Sequence, residues 1–479
     1  MKIGMKYLLI ILFYTLLSKE SIAKDYCPKE LDSFDCIKQL TSKYSLNYSK
    51  ISAENLNDDI EIIEYEFTSQ KYPINESYPN SEWKHNLKIF IPKSYLKNTT
   101  PIVYVDSDIK NKKDEEFFEN ISKNTSSIVA RLTMVPNQPI NFPNIANLFE
   151  DDLVAHTWKM FLDDPIENKT LPLHLPMAVS IVRALDLIQT ELQPKDYNVS
   201  GFILSGASKR GWAAWLATIS DERIKAIVPI VIDIYNMKSQ FMKLNKVYAN
   251  HWPIALYPYY KINLYKFLEN DNFNSLIQIE DPLAYKNSVK QKRLEIPKYI
   301  ISSSGDDFFL PDSIYDSYKD IPGENIFRYI PNSSHFIKKN IIQDAITQYA
   351  KLFNSDISIN KLNFKFYEDK FGENVRIVIK LNENIKKITL WEATNTQERD
   401  FRYSCGIEYK EKNLHIKNNA RYISIFLKKP KLGWKASFIE IIHNNNFIQT
   451  TPNIVLPKKE YPSNIIKDKS KYCSSLPLQ

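Results

Sequence analysis

The sequence predicts an α/β fold: a mostly parallel sheet with helices on both faces, followed by a C-terminal β-sandwich-like domain. Three observations predict it. Short apolar runs at 102–105, 127–132, 199–204, 224–232 and 298–303 alternate with amphipathic helical patterns at 153–161, 176–192 and 209–219. Strands buried on both faces need such continuous apolar runs, and the intervening helices supply the cover. The run 199–204 ends in the small-residue turn Gly206-Ala-Ser208 and passes at once into a helical segment. That is the pattern of a strand–elbow–helix holding one serine at the tip of a tight bend. From about residue 356 the texture changes to alternating strands at 361–366, 375–381, 388–392, 422–427 and 435–442, separated by short polar turns. This reads as a small sandwich.

Taken in order, residues 1–23 read as a secretory signal. Lys2 and Lys6 form the charged start, 7–17 the apolar segment, and Ser21-Ile-Ala23 the small residues before a cut after Ala23. The apolar segment is too short to span a bilayer comfortably, so no stable membrane span is expected after cleavage. Residues 24–59 form an N-terminal segment, helical around 33–44. The α/β domain is placed over 60–355, entered by alternating strands at 60–67 and 83–91. Within it, 237–268 is rich in aromatics and broken by prolines. It reads either as a cap inserted between two core strands or as a loop packed on the body. The β-rich domain takes 356–479.

The chain of 479 residues is 43% hydrophobic and 25% charged, which suits a globular protein with a sizeable core. The formal charge of +7 is not gathered into a block of like sign, and nucleic acid is excluded as a partner on that ground. Four cysteines, Cys27, Cys36, Cys405 and Cys473, remain after signal cleavage. In a secreted or periplasmic setting an even count predicts disulfides, and Cys27–Cys36 with Cys405–Cys473 is the most economical pairing. No clustered His/Cys spacing points to a metal, and no cofactor is expected.

A serine nucleophile needs a base, and the base needs an orienting acid. Downstream of Ser208, an apolar run leads into Ser-Ser-Ser-Gly305-Asp306-Asp307, and the next strand, 326–330, ends in Pro-Asn-Ser-Ser-His335. Ser, then Asp, then His is the chain order of an α/β-hydrolase sheet. Counting from the strand favours Asp306 as the acid, and counting back from Pro311 favours Asp307. Each piece has an ordinary counterpart: Ser is a common helix N-cap, Asp a turn former, and His335 one of seven histidines. In this order and at strand ends they read together as a triad, with the Lys209 N–H contributing to an oxyanion hole. Gln138 and Trp252, in loops expected to set selectivity, are candidate substrate contacts. Trp391 and Trp434 would give the β domain a sugar site only if they were exposed.

Further motifs carry a resemblance. They include Val135-Pro-Asn-Gln-Pro139, Glu150-Asp-Asp152 before Ala155-His-Thr-Trp158, and Leu175-Pro-Met177 leading to Arg183-Ala-Leu-Asp186. Gly206-Ala-Ser-Lys-Arg-Gly-Trp212, Gly305-Asp-Asp-Phe-Phe-Leu-Pro-Asp312, Trp391-Glu-Ala-Thr394, Arg399-Asp-Phe-Arg402 and Gly433-Trp434 complete the set. From about Trp83 to Pro462 the chain resembles the PhoPQ-activated pathogenicity-related proteins, which include the autocrine proliferation repressor type. The resemblance implies an exported α/β-hydrolase body with a C-terminal β domain. The elbow is also similar to that of glucuronoyl esterases, in which a basic side chain after the serine helps to hold the oxyanion; this would fall to Lys209. One departure bears on activity. Asp106-Ser-Asp108 stands where such hydrolases carry a glycine pair, and two carboxylates there oppose catalysis unless they point away. Two functions follow. One is a serine hydrolase acting on a small ester, amide or peptide. The other is a secreted signalling or virulence-associated protein that meets a cell-surface partner without turnover.

Overall fold

The computed structural model describes residues 32–42, 45–56, 59–73, 82–107, 114–355, 361–416, 420–466 and 470–478. The expected signal segment, Cys27 and Asp108 lie outside them. The strands are β1 (Asn47–Leu56), β2 (Ile60–Lys71), β3 (Glu82–Pro92), β4 (Ile102–Val105), β5 (Val129–Thr133), β6 (Ile140–Phe142) and β7 (Ile145–Leu148). They continue with β8 (Phe202–Ala207), β9 (Ile224–Ile230), β10 (His251–Pro253), β11 (Lys298–Ser303) and β12 (Asn325–Ile330). The C-terminal set is β13 (Phe364–Glu368), β14 (Asn374–Lys380), β15 (Ile385–Asn395), β16 (Lys410–Asn413), β17 (Tyr422–Lys428), β18 (Trp434–His443), β19 (Ile448–Thr450), β20 (Ile454–Leu456) and β21 (Ser475–Pro477).

The main sheet runs β1-β2-β3-β5-β4-β8-β9-β11-β12 and then continues into β19-β18-β15-β16. From β5 to β12 the pairs are parallel, whereas β1, β2 and β3 join antiparallel. This is the α/β-hydrolase arrangement. Its sheet begins earlier than the sequence pattern indicated, because β1 pairs along β2 from Asn47 to Leu56. The polar sequence of β1 hides it, since an edge strand needs little apolar surface.

Side-chain alternation explains the two-sided cover. Leu204, Ile227 and Ile300 point to one core, with the helices His174–Leu192 and Lys209–Ser220. Their neighbours Ile203, Val228 and Ile301 point to the other, with the helices Glu115–Thr125 and Lys339–Phe353. Both faces are therefore dry, which is why these strands read as unbroken apolar runs. No helix among the described residues is long and apolar enough to cross a membrane.

The C-terminal strands form a sandwich. β13-β14-β17 packs on β15 and β18 through a separate core containing Ile377, Ile379, Leu390, Ile439 and Ile441. Rather than standing apart, the second layer is hydrogen-bonded to the hydrolase sheet through Phe327 of β12 and Thr450 of β19. Cys405 and Cys473 form a disulfide, and Cys36 is also disulfide-bonded. The tail beyond Cys473 continues as β21, which pairs with β10 in the segment between β9 and β11.

Candidate active site

Ser208 sits between β8 and the helix Lys209–Ser220 with φ 53° and ψ −128°. A side chain avoids this backbone region at a cost of about 1–3 kcal/mol, and such strain marks functional turns. Two glycines make the turn possible. A Cβ on Gly206 would meet the Arg210 carbonyl carbon at 2.8 Å, and one on Gly211 would meet the Gly206 carbonyl oxygen at 2.7 Å. Gly211 therefore supplies the close strand–helix approach, which leaves the position of Arg210 free for a large side chain. The first N–H groups of the helix, starting with Lys209, lack intrahelical acceptors and gather beside the serine.

Ser208 Oγ lies 2.9 Å from His335 Nε2, and His335 Nδ1 lies 2.9 and 3.0 Å from the two oxygens of Asp306. The loops carrying the acid and the histidine are sewn together. Ser304 N donates to Ile330 O, Gly305 N to Ser333 O and Asn332 N to Ser304 Oγ. Gly305 is required because a Cβ there would meet Tyr403 N at 2.6 Å. Asp306 also accepts from the backbone N–H groups of Phe308 and Phe309, which fixes its carboxylate. Phe308 packs on the imidazole with ring centroids 4.5 Å apart. Asp307 turns the other way and accepts from Ser404 Oγ at 2.6 Å. Of the two aspartates left open by the sequence, the fold brings Asp306 to His335.

Lys209 extends its ammonium to Asp151 at 2.8 Å and Glu150 at 3.2 Å. Arg210 donates to both oxygens of Glu150 and to Val135 O. Burial opposes ionisation of Glu150, but the hydrogen bond and charge of Arg210, with Lys209 beside it, hold its carboxyl down at about 2. Gln138, expected at the substrate, instead spends both ends of its amide on Glu150. Trp252 is wholly buried, with its Nε1 donating to Asn245 Oδ1, and it does not line the cleft over Ser208. His174 is buried against Glu280 and Trp212, and His156 packs on Phe142. Asp106 is held by Arg131 at 2.8 Å, so its charge is compensated.

A cleft opens over Ser208. Trp212, Met237, Phe241, Leu256 and Phe308 form much of its apolar wall. Asp151, Lys209, Asp233 and Tyr259 supply polar groups, with the Tyr259 hydroxyl donating to Asp151. Phe241, Leu256 and Tyr259 come from the segment between β9 and β11, so that segment roofs the cleft. Burial pushes the Asp233 carboxyl up to about 8, against a hydrogen bond from Ser302 Oγ. Sequence reasoning missed Asp233, and it read Glu150 and Asp151 as part of a motif without giving them a place at the site. For Glu150 and Asp151 the available signal was an acidic run at a helix start matching the Lys209-Arg210 pair.

The family model for PhoPQ-activated pathogenicity-related proteins matches residues 35–402. Autocrine proliferation repressor protein A of Dictyostelium discoideum is 32% identical over 399 residues, covering 78% of this chain and 79% of that protein. Among solved structures, acetyl xylan esterase 1 from a Thermoanaerobacterium species aligns with 68% of this chain and 95% of its own, at 13% identity and a TM-score of 0.45. A glucuronoyl esterase from Solibacter usitatus covers 64% of this chain and 86% of its own, at 13% identity and a TM-score of 0.38. On the family match and the Dictyostelium relative, the chain belongs to the PhoPQ-activated pathogenicity-related protein family.

Proposed function

We propose that the protein is an exported serine hydrolase acting on an ester or amide whose bound portion is largely apolar. The hydrogen-bonded line Ser208–His335–Asp306 carries this reading. His335 Nε2 takes the Ser208 proton as Oγ attacks the carbonyl carbon. Asp306 holds the Nδ1–H tautomer and stabilises the imidazolium that forms. The N–H groups opening the helix Lys209–Ser220 receive the oxyanion. His335 then gives its proton to the leaving group, and a water repeats the sequence on the acyl-enzyme. The apolar wall of the cleft supports an apolar substrate portion. Export is supported by the signal-like residues 1–23 and the Cys405–Cys473 disulfide. The decisive experiment is labelling of the mature protein with a fluorophosphonate probe. Wild type labels and Ser208→Ala does not; a wild-type protein that never labels overturns the proposal.

The name of the Dictyostelium relative, a repressor of proliferation, favours a second reading as a secreted signal acting on cells or in host contact. The same Ser208→Ala protein separates the two. Full biological activity without labelling would assign the role to signalling rather than turnover.

A further inference from the structure

The three-stranded layer β13-β14-β17 buries one face and leaves the other to solvent. Val375, Ile377, Ile379, Ile425 and Leu427 point inward. By the two-residue period of a strand, the outward positions include Lys365, Tyr367, Arg376, Lys380, Tyr422, Phe426 and Lys428. A sheet face that only meets water carries small polar side chains and charges of both signs. On this one, three aromatic rings are exposed, Tyr367 by 47%, Tyr422 by 59% and Phe426 by 69%. All the charged residues at these outward strand positions are cations.

Two further observations give the face a direction. Tyr367 lies opposite Arg376, which lies opposite Phe426, so a ring, a guanidinium and a ring form one row across the strands. With strands about 4.8 Å apart, the backbone positions that carry the two rings are separated by roughly 10 Å. In the same row the Arg376 guanidinium sits 4.7 Å from the Tyr367 ring centroid. Second, Lys365, Arg376, Lys380 and Lys428 make no ion pair among the described residues. Lys387, Lys429, Lys435 and Lys458 of the same sandwich each pair with a glutamate. The four cations of this face have no such acidic neighbour among the described residues.

We propose that this face binds an acidic polysaccharide. Aromatic rings present flat apolar surfaces to the C–H faces of sugar rings, and unpaired cations receive carboxylates along the chain. Tyr367 and Phe426 hold sugar rings, while Arg376, Lys365, Lys380 and Lys428 meet the acid groups. The Cys405–Cys473 bridge fits an oxidising compartment, where extracellular glycans occur and nucleic acids are not the usual polyanion. The site is separate from Ser208 and does not depend on its chemistry.

The test measures binding of the full mature protein to polygalacturonate, with neutral dextran, polyglutamate, a single-stranded oligodeoxynucleotide and phosphatidylserine vesicles as comparisons. Polygalacturonate is expected to bind best. The double variant Tyr367→Ala/Phe426→Ala should weaken that binding about 10-fold or more, with melting temperature and fluorophosphonate labelling unchanged. Arg376→Ala/Lys380→Ala should lower both affinity and its salt dependence. Failure to bind polygalacturonate, or equal binding to polyglutamate, oligonucleotide or vesicles, overturns the proposal. So does a double aromatic variant that binds as well as wild type.

Discussion

Asp306 and Asp233 each stand three residues past the end of a parallel strand, β11 and β9 respectively, and those strands are neighbours. They are equally buried, at 6% and 5% exposed. Their surroundings differ in donors. Asp306 accepts from two backbone N–H groups and faces the His335 Nδ1. Asp233 has the hydroxyl of Ser302, and burial drives its carboxyl up to about 8. At this depth, burial and the neighbouring Asp306 charge raise the Asp233 carboxyl, and the one hydroxyl of Ser302 only partly opposes them. The turn Asp306–Phe309 supplies donors to Asp306 because it doubles back on itself, while the chain after Asp233 leaves for the roof of the cleft.

The largest test of this contrast is a pair of isosteric changes. Asp306→Asn should slow fluorophosphonate labelling on the order of 10⁴-fold by losing the imidazole tautomer, whereas Asp233→Asn should change it only a few-fold. Equal losses would erase the distinction. Next in size is a pH effect on stability. Unfolded, an aspartate ionises near 3.8, and folded Asp233 holds its proton to about 8. Between those values the unfolded chain has released a proton that the native state keeps, so stability falls as pH rises through that window. Asp233→Asn should remove that decline, on the order of a few kcal/mol between pH 4 and 8, as read from urea unfolding at each pH.

The segment Tyr403–Cys405 backs the Asp306 turn, with Tyr403 N donating to Gly305 O. Its disulfide to Cys473 spans 68 residues. Replacing both cysteines by serine should lower unfolding free energy by about 2–4 kcal/mol, measured by denaturant titration against the oxidised wild type. The smallest effect belongs to Asp307→Ala. It removes the bond to Ser404 and should cost about 1 kcal/mol with labelling unaltered. A large loss of labelling there would return Asp307 to the reaction.

Much of the site was legible because it lies at strand ends, where small residues and turn formers break long apolar runs. Ser208, His335 and the aspartate pair stood out for that reason. Gln138 and Trp252 are not among the residues lining the cleft over Ser208; a loop's sequence does not say which way its side chains face. One closes on Glu150, twelve positions away, and the other on Asn245. Asp106 reads as an obstacle in the sequence alone, and Arg131, a residue of the adjacent strand β5, holds it in the fold. β1 and the joining of β12 to β19 were missed because edge pairing through backbone groups needs no distinctive side chains.

By itself the sequence determined the alternation of dry strands and covering helices, the serine elbow, the chain order of Ser208, the aspartate pair and His335, and the family. Those are local or ordered signals, written in apolar runs and small residues. Only the tertiary structure decided that Asp306 rather than Asp307 meets His335, that Lys209 and Arg210 spend their charges on Glu150 and Asp151, and that Asp233 lies buried at the cleft beside Ser302. Each depends on the direction of a side chain across a distance in sequence, set by packing of elements that no local pattern encodes.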